Sequence, residues 1–143
     1  MSHPVHEYPL TVLEQHLDTF GHVNNATYLQ LLEEARWQWI TEGGYGLSEI
    51  KERGLGPTIL EISLKFRREL TNRQSIVIRS WLDSYVGKIA IIHQEIVQSD
   101  GEVNCEAEFV MGLFDVRLRK LVEPTPEWLA CVGMTPAEWA PKA

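Results

Sequence analysis

One short segment holds most of the chemistry this chain can offer. Asp18-Thr-Phe-Gly-His-Val-Asn-Asn25 combines a carboxylate, an imidazole, a glycine and two carboxamides directly before an unusually apolar run. If that run is a helix, its first N–H groups lack intrahelical acceptors and favour a negative charge or a polarised carbonyl placed against them. A carboxylate beside such a site is a base or nucleophile next to an oxyanion-stabilising dipole, which is the equipment of a hydrolase. The same residue types also build turns and caps, so Asp18 and Asn24 have a purely local alternative. The second feature is positive charge in an acidic protein: Lys65, Arg67 and Arg68, followed by Arg73 and Arg79, near one sheet edge. Lys65 and Arg67 share a strand face, and Arg68 points the other way unless a bulge shifts it. Such groups suit a phosphorylated carrier such as coenzyme A, with ion pairs to surface Glu and Asp as the competing use.

Other catalytic signatures are missing. The chain has no glycine-rich phosphate loop before a helix, no H-E-x-x-H, no G-x-S-x-G elbow and no histidine set suited to a metal. His93 stands alone within a strand pattern and reads as an ordinary strand residue. Cys105 and Cys131 lie far apart, form neither a metal cluster nor a redox pair, and read as two reduced thiols.

The elements that must position Asp18–Asn25 follow from periodicity. Residues 8–17 read as a short strand weakened by Pro9. Asn24 or Asn25 can cap a helix from Ala26 to about Thr41, on which Tyr28, Leu32, Ala35 and Trp39 share a face. Leu29, Leu31, Trp37 and Ile40 widen that face, so the helix needs cover nearly all round, leaving mainly Gln30, Glu34 and Gln38 for solvent or a partner. Gly43, Gly44 and Gly46 end it, and everything beyond reads as strands. Leu60, Ile62, Leu64 and Phe66 alternate with Glu61, Ser63, Lys65 and Arg67. Further strands are expected at 74–84, 89–98 and 103–118, with a tight turn at Asp100-Gly101 and a bend or close approach at Gly112. The tail from Val122 carries four prolines and cannot be one helix, although Thr135–Trp139 can start a short one. One apolar helix and one curved antiparallel sheet that bury each other make a single α+β domain, with its core at about 8–120 and a tail at about 121–143.

Composition agrees with one enzyme-sized domain. The 143 residues are 44% hydrophobic, and 13 Lys and Arg face 20 Asp and Glu for a net charge of -7, which disfavours nucleic acid as a partner. The N-terminus lacks a cationic region followed by an apolar run, and no stretch approaches the ~18 apolar residues of a membrane span, so a cytoplasmic protein away from membranes is expected.

Asp18-Thr-Phe-Gly-His-Val-Asn-Asn-Ala-Thr-Tyr-Leu29, followed by Glu33-Glu-Ala-Arg36, resembles the signature of the 4-hydroxybenzoyl-CoA thioesterase-like branch of the hotdog superfamily. Gly56-Pro-Thr-Ile-Leu-Glu-Ile-Ser-Leu-Lys-Phe-Arg-Arg-Glu-Leu70 resembles the family's next strand, and the similarity runs from about residue 8 to about 120. The resemblance implies a hotdog fold, one long helix wrapped by a curved sheet, that hydrolyses acyl-CoA thioesters, with acyl-carrier protein as a second carrier. It implies no cofactor, coenzyme A being part of the substrate, and a homodimer or homotetramer with sites between subunits.

By the same resemblance, Asp18 takes the place of the catalytic aspartate, as general base or nucleophile. The N–H groups of Val23, Asn24 and Asn25 polarise the thioester oxygen, and Tyr28 occupies the aromatic position of the first helical turn. Glu61 lies in a strand close to the partner's active site, and Lys65, Arg67 and Arg68 meet the CoA phosphates. Glu33 and Glu34 hold the helix against neighbouring chain. The sequence departs from some relatives at Asn25, where they carry a histidine. Asn25 can bond a carbonyl or orient water, but it cannot shuttle a proton near neutral pH. His22, four positions after Asp18, is read as a packed or hydrogen-bonded loop residue. Competing functions are a non-catalytic acyl-thioester binding protein of the same fold and an acyl-CoA hydratase or dehydratase, the latter disfavoured by Asn25.

Overall fold

In a computed structural model that describes residues 3–141, a six-stranded antiparallel sheet curves around one long helix. The elements run β1 (His6–Thr11), α1 (Asn25–Glu42), α2 (Leu47–Arg53), β2 (Leu55–Phe66), β3 (Ser75–Val86), β4 (Ile89–Gln98), β5 (Val103–Asp115), β6 (Lys120–Val122) and α3 (Pro126–Cys131). The sheet order is β1-β3-β4-β5-β2, with β6 added on β5, so β1 and β2 are the edges.

The alternating pattern expected of the last long strand is realised. Cys105, Ala107, Phe109, Met111 and Leu113 are all buried on the helix side, as strand periodicity demands. Gly101 adopts φ +90 in the β4–β5 turn, the left-handed conformation that an Asp-Gly pair supplies cheaply. At Gly112 a Cβ would lie 2.7 Å from the Lys88 carbonyl oxygen, so the close backbone approach read from the sequence is real.

On the other face of the core, α1 presents Tyr28, Leu31, Leu32, Ala35, Trp39 and Ile40. A polar pin crosses this apolar contact. Gln94 of β4, fully buried, donates to the Leu32 carbonyl (3.1 Å) and to Ser80 Oγ (2.9 Å), while its Oε1 accepts from Arg36 (2.9 Å). The Arg36 guanidinium sits 4.1 Å above the Phe109 ring centroid, and burial draws its pKa down to about 10. Contrary to the expectation, α1 is not covered all round. Trp37 is 37% exposed, because the helix lies over β1 and β3 and leaves its flank towards β2 open.

Several elements differ from the sequence reading. The first strand stops at Thr11, since the Leu13 N–H bonds His16 Nδ1 and turns the chain into a short 3₁₀ turn. Leu47–Arg53, read as non-helical, is α2, closed by Gly54 at φ +72. β2 begins five residues before Leu60 and carries a bulge between Ile59 and Glu61. The bulge takes Leu60 out of the row with Ile62, Leu64 and Phe66, which face the helix side opposite Phe109, Ala107 and Cys105. In the tail the helix forms at Pro126–Cys131, with Thr125 as its cap, and Thr135–Trp139 is only a turn. α3 extends the core beyond residue 120. Trp128 is 1% exposed, packs edge-on against Tyr45 (5.2 Å) and donates its indole N–H to the Tyr85 hydroxyl (3.1 Å). Both cysteines are buried and unpaired. No helix among the described residues is long and apolar enough to cross a membrane.

Candidate active site

Two backbone features build the site: a closed loop from Asp18 to His22 and the exposed start of α1. The Asp18 N–H donates to the His22 carbonyl (2.8 Å), and Asp18 Oδ1 accepts from the N–H groups of Phe20 (2.9 Å) and His22 (3.0 Å). Gly21 completes the turn at φ +79. The local role that Asp18 shares with other loop aspartates is therefore filled by one carboxylate oxygen. The other, Oδ2, has no partner among the described residues and is free for chemistry.

The helix start follows immediately. Asn24 is the cap: its Oδ1 accepts from the Thr27 N–H at 3.0 Å, a contact worth about 1 kcal/mol. Asn25 is the first helical residue, with its Oδ1 turned onto the Ala26 N–H (3.1 Å). The Asn25 N–H has no acceptor among the described residues, so the positive end of α1 remains available to a ligand.

Beside this helix start lies a groove of about 420 Å³ lined by His22, Val23, Asn25, Tyr28, Phe66, Arg67, Arg68 and Glu69. Its floor is apolar: Val23 is buried, and Tyr28 and Phe66 meet edge to face at 5.0 Å. Burial raises the Tyr28 hydroxyl pKa, which keeps it a neutral donor. Phe66 is 52% exposed and Ile62, four residues earlier on the same face, 48% exposed, so an apolar strip runs from the groove along the helix side of β2.

The expected site residues divide between two faces. Val23, Asn24, Asn25, Tyr28, Arg67 and Arg68 gather at the helix start, and Asp18 joins them through His22. Lys65 and Glu61 do not, because strand alternation puts both on the outer face of β2, opposite Glu106 and Val110. Lys65 lies beside Ser63, His93, Glu106 and Glu108. Arg67 is ion-paired to Glu106, whereas Arg68 has no ion-pair partner among the described residues. Arg73 pairs with Glu14, and Arg79 with Glu7 and Glu95 on β3 and the strands flanking it, so neither belongs to this group. Of the two acidic helix residues, Glu34 accepts from the Tyr8 hydroxyl and holds α1 to β1, while Glu33 bonds the Trp37 indole N–H at 3.4 Å. The sequence reading missed Phe66 as groove floor and His22 and Glu69 as its wall. Phe66 was legible only as an apolar strand position, and nothing in the spacing joins residue 69 to residue 22. Among the described residues no three His, Cys, Asp or Glu side chains converge as a metal site would require.

Comparison with known proteins agrees with this architecture. Residues 12–132 match the thioesterase-like superfamily. The chain is 31% identical over 106 residues to the long-chain acyl-CoA thioesterase FadM of Escherichia coli, covering 73% of this chain and 80% of that one. A Staphylococcus aureus protein solved in complex with CoA superposes with a TM-score of 0.84 at 16% identity, covering 92% of this chain and 84% of that chain. A 1,4-dihydroxy-2-naphthoyl-CoA thioesterase from Synechocystis superposes with a TM-score of 0.81 at 17% identity, covering 90% and 96%. With its helix-wrapping sheet and its loop-to-helix signature, the chain belongs to the thioesterase-like superfamily of hotdog-fold thioester hydrolases.

Proposed function

We propose that the chain is an acyl-CoA thioesterase, releasing a free acid and CoA at the start of α1. The observation that carries this reading is the groove itself, where an apolar floor, a helix N-terminus with an unsatisfied N–H and two arginines come together, Arg67 paired with Glu106 and Arg68 without an ion-pair partner among the described residues. Each part answers one feature of the substrate. The acyl group lies against Val23, Tyr28 and Phe66 and extends towards Ile62. The thioester oxygen meets the Asn25 N–H and the helix dipole, where developing negative charge is stabilised. Arg67 and Arg68 take the phosphates of the carrier. Asp18, through its free Oδ2, is the general base towards water, and Asn25 orients that water or the carbonyl without moving a proton. The reaction needs water and the thioester alone, so no cofactor is assigned.

The working unit in this proposal is a homodimer, or a pair of dimers. β2 is an unpaired edge on which Leu60, Ile62 and Phe66 are exposed, and an open apolar edge favours pairing with a second copy. Glu61, on the same edge, is then at the subunit boundary.

The test is thiol release from short, long and aromatic acyl-CoAs by the protein and by Asp18→Asn. Loss of roughly 10²-fold or more in kcat with the fold intact is expected. Absence of hydrolysis on every thioester refutes the function, and an unchanged rate in Asp18→Asn removes Asp18 from the chemistry.

A further inference from the structure

Next to the groove floor, the structure holds an imidazole–carboxylate pair that the reaction above does not use. His22 Nε2 lies 2.7 Å from Glu69 Oε1, and both residues line the groove with Asn25 and Tyr28. Both side chains are more than half exposed, at 60% and 56%, and an ion pair that open to water contributes little to stability. Its effect is to orient the ring. Each partner also grows from an anchored neighbour, Val23 beside His22 and the fully buried Leu70 beside Glu69. The backbone of His22 is fixed as well, its N–H held by Asp18 Oδ1 and its carbonyl by the Asp18 N–H. With Nε2 turned to Glu69, Nδ1 has no partner among the described residues.

We propose that His22, positioned by Glu69, is the general acid that protonates the departing sulfur, an assignment that rests on thioester hydrolysis being the reaction. Asp18 takes a proton from water as the water oxygen bonds to the thioester carbon, and the carbonyl electrons move onto oxygen, facing the Asn25 N–H. The intermediate collapses with cleavage of the C–S bond. The electron pair goes to sulfur, and the Nδ1 proton of the imidazolium goes with it, giving the free thiol of CoA. The proton on Asp18 then passes back to Nδ1, directly or through water, and the acid product ionises to solvent. The two groups that exchange this proton are already joined through the main chain of the same loop, which makes a proton-recycling pair from residues four apart.

Leaving-group dependence tests the assignment. A CoA-like thiol has a pKa of about 8.5 and benefits from protonation as it leaves, whereas an aryl thiol is acidic enough to leave unaided. His22→Gln and Glu69→Gln are compared with the unaltered protein on an acyl-CoA and on the matching acyl thiophenyl ester, with circular dichroism to confirm the fold. His22→Gln is expected to lose on the order of 10²-fold in kcat on the CoA ester and less than about 3-fold on the aryl ester. Glu69→Gln is expected to show a smaller loss with the same pattern. An equal loss on both esters, or no loss on either, overturns the general-acid role while leaving the thioesterase reading intact. An unaltered protein that hydrolyses neither ester removes the reaction and the acid together.

Discussion

Replacing Trp128 with Phe tests whether the C-terminal segment is part of the core and how its polar contact is balanced. The indole is buried between Tyr45 and Tyr85 and donates to the hydroxyl of Tyr85, a residue only 2% exposed. The substitution removes roughly 40 Å³ of side chain, which at 24 cal/mol per Å³ of unfilled cavity costs about 1 kcal/mol. It also leaves the Tyr85 hydroxyl buried without its donor, a further penalty of about 1–3 kcal/mol. Tyr85→Phe strands the indole N–H instead and costs about 1–3 kcal/mol with little cavity. In the double variant both polar partners are gone and mainly the cavity cost remains, so its loss is about 1–2 kcal/mol, well below the sum of the single losses. Thermal and urea unfolding at one fixed protein concentration read these differences, with about 3–5 °C expected for each kcal/mol in a chain of 143 residues. Two results refute the reasoning: single losses that add within about 0.5 kcal/mol, or a Trp128→Phe variant as stable as the original.

Two further predictions concern alkaline pH and the free sheet edge. Burial pushes the thiol of Cys105 up to about 11 from an ordinary 9.0, that of Cys131 up to about 12, and the Tyr85 hydroxyl up to about 12 from 10.0. The folded chain therefore holds protons that the unfolded chain releases at lower pH. Stability from these groups is intact below about pH 9 and is lost as pH rises towards 11–12, so the urea midpoint should fall steadily across that window, and a flat profile contradicts it. Ile62→Lys places a charge on an exposed position of β2 and should leave the unfolding free energy of one chain within about 0.5 kcal/mol while converting the proposed dimer to monomer in sedimentation. An unchanged sedimentation coefficient rules out this edge as the subunit contact.

The parts of the fold legible in the sequence are those with strong local rules. Asp100-Gly101 fixed the β4–β5 hairpin through a turn only such pairs make cheaply, and Asn24 marked the start of α1 through one side-chain cap. The tail shows where local rules stop. Thr125-Pro126 and Thr135-Pro136 both offer a capping threonine before proline, and only the first starts a helix. The difference is tertiary: the first buries Trp128, Leu129 and Cys131, whereas Thr135 is held in a turn by Glu138 (2.8 Å). α2 escaped because seven residues are too few for a clear period and its stop signal, Gly54, comes at the far end. For the site, the loop and helix start were readable as one segment. The pairing of His22 with Glu69 was not, since it depends on where β2 delivers the chain after Phe66. The same limit explains Lys65 and Glu61: the charges were visible, but which side of the sheet each faces relative to the groove depends on register and on the bulge at Leu60.

The contact of Gln94 with Arg36 and the Leu32 carbonyl bears on how such a protein can change over time. A smooth apolar helix resting on a smooth apolar sheet can roll, because many neighbouring angular settings bury nearly the same area. One glutamine reaching both a backbone carbonyl and a guanidinium on successive turns of α1 is satisfied at a single setting, and every other setting leaves buried donors unpaired. None of these groups lines the groove at the helix start. The residues that give the helix its angular setting are thus separate from those that line the groove, and under the proposed function Val23, Tyr28 and Phe66 can be exchanged for side chains suited to other acids while Asp18 and Asn25 keep their place.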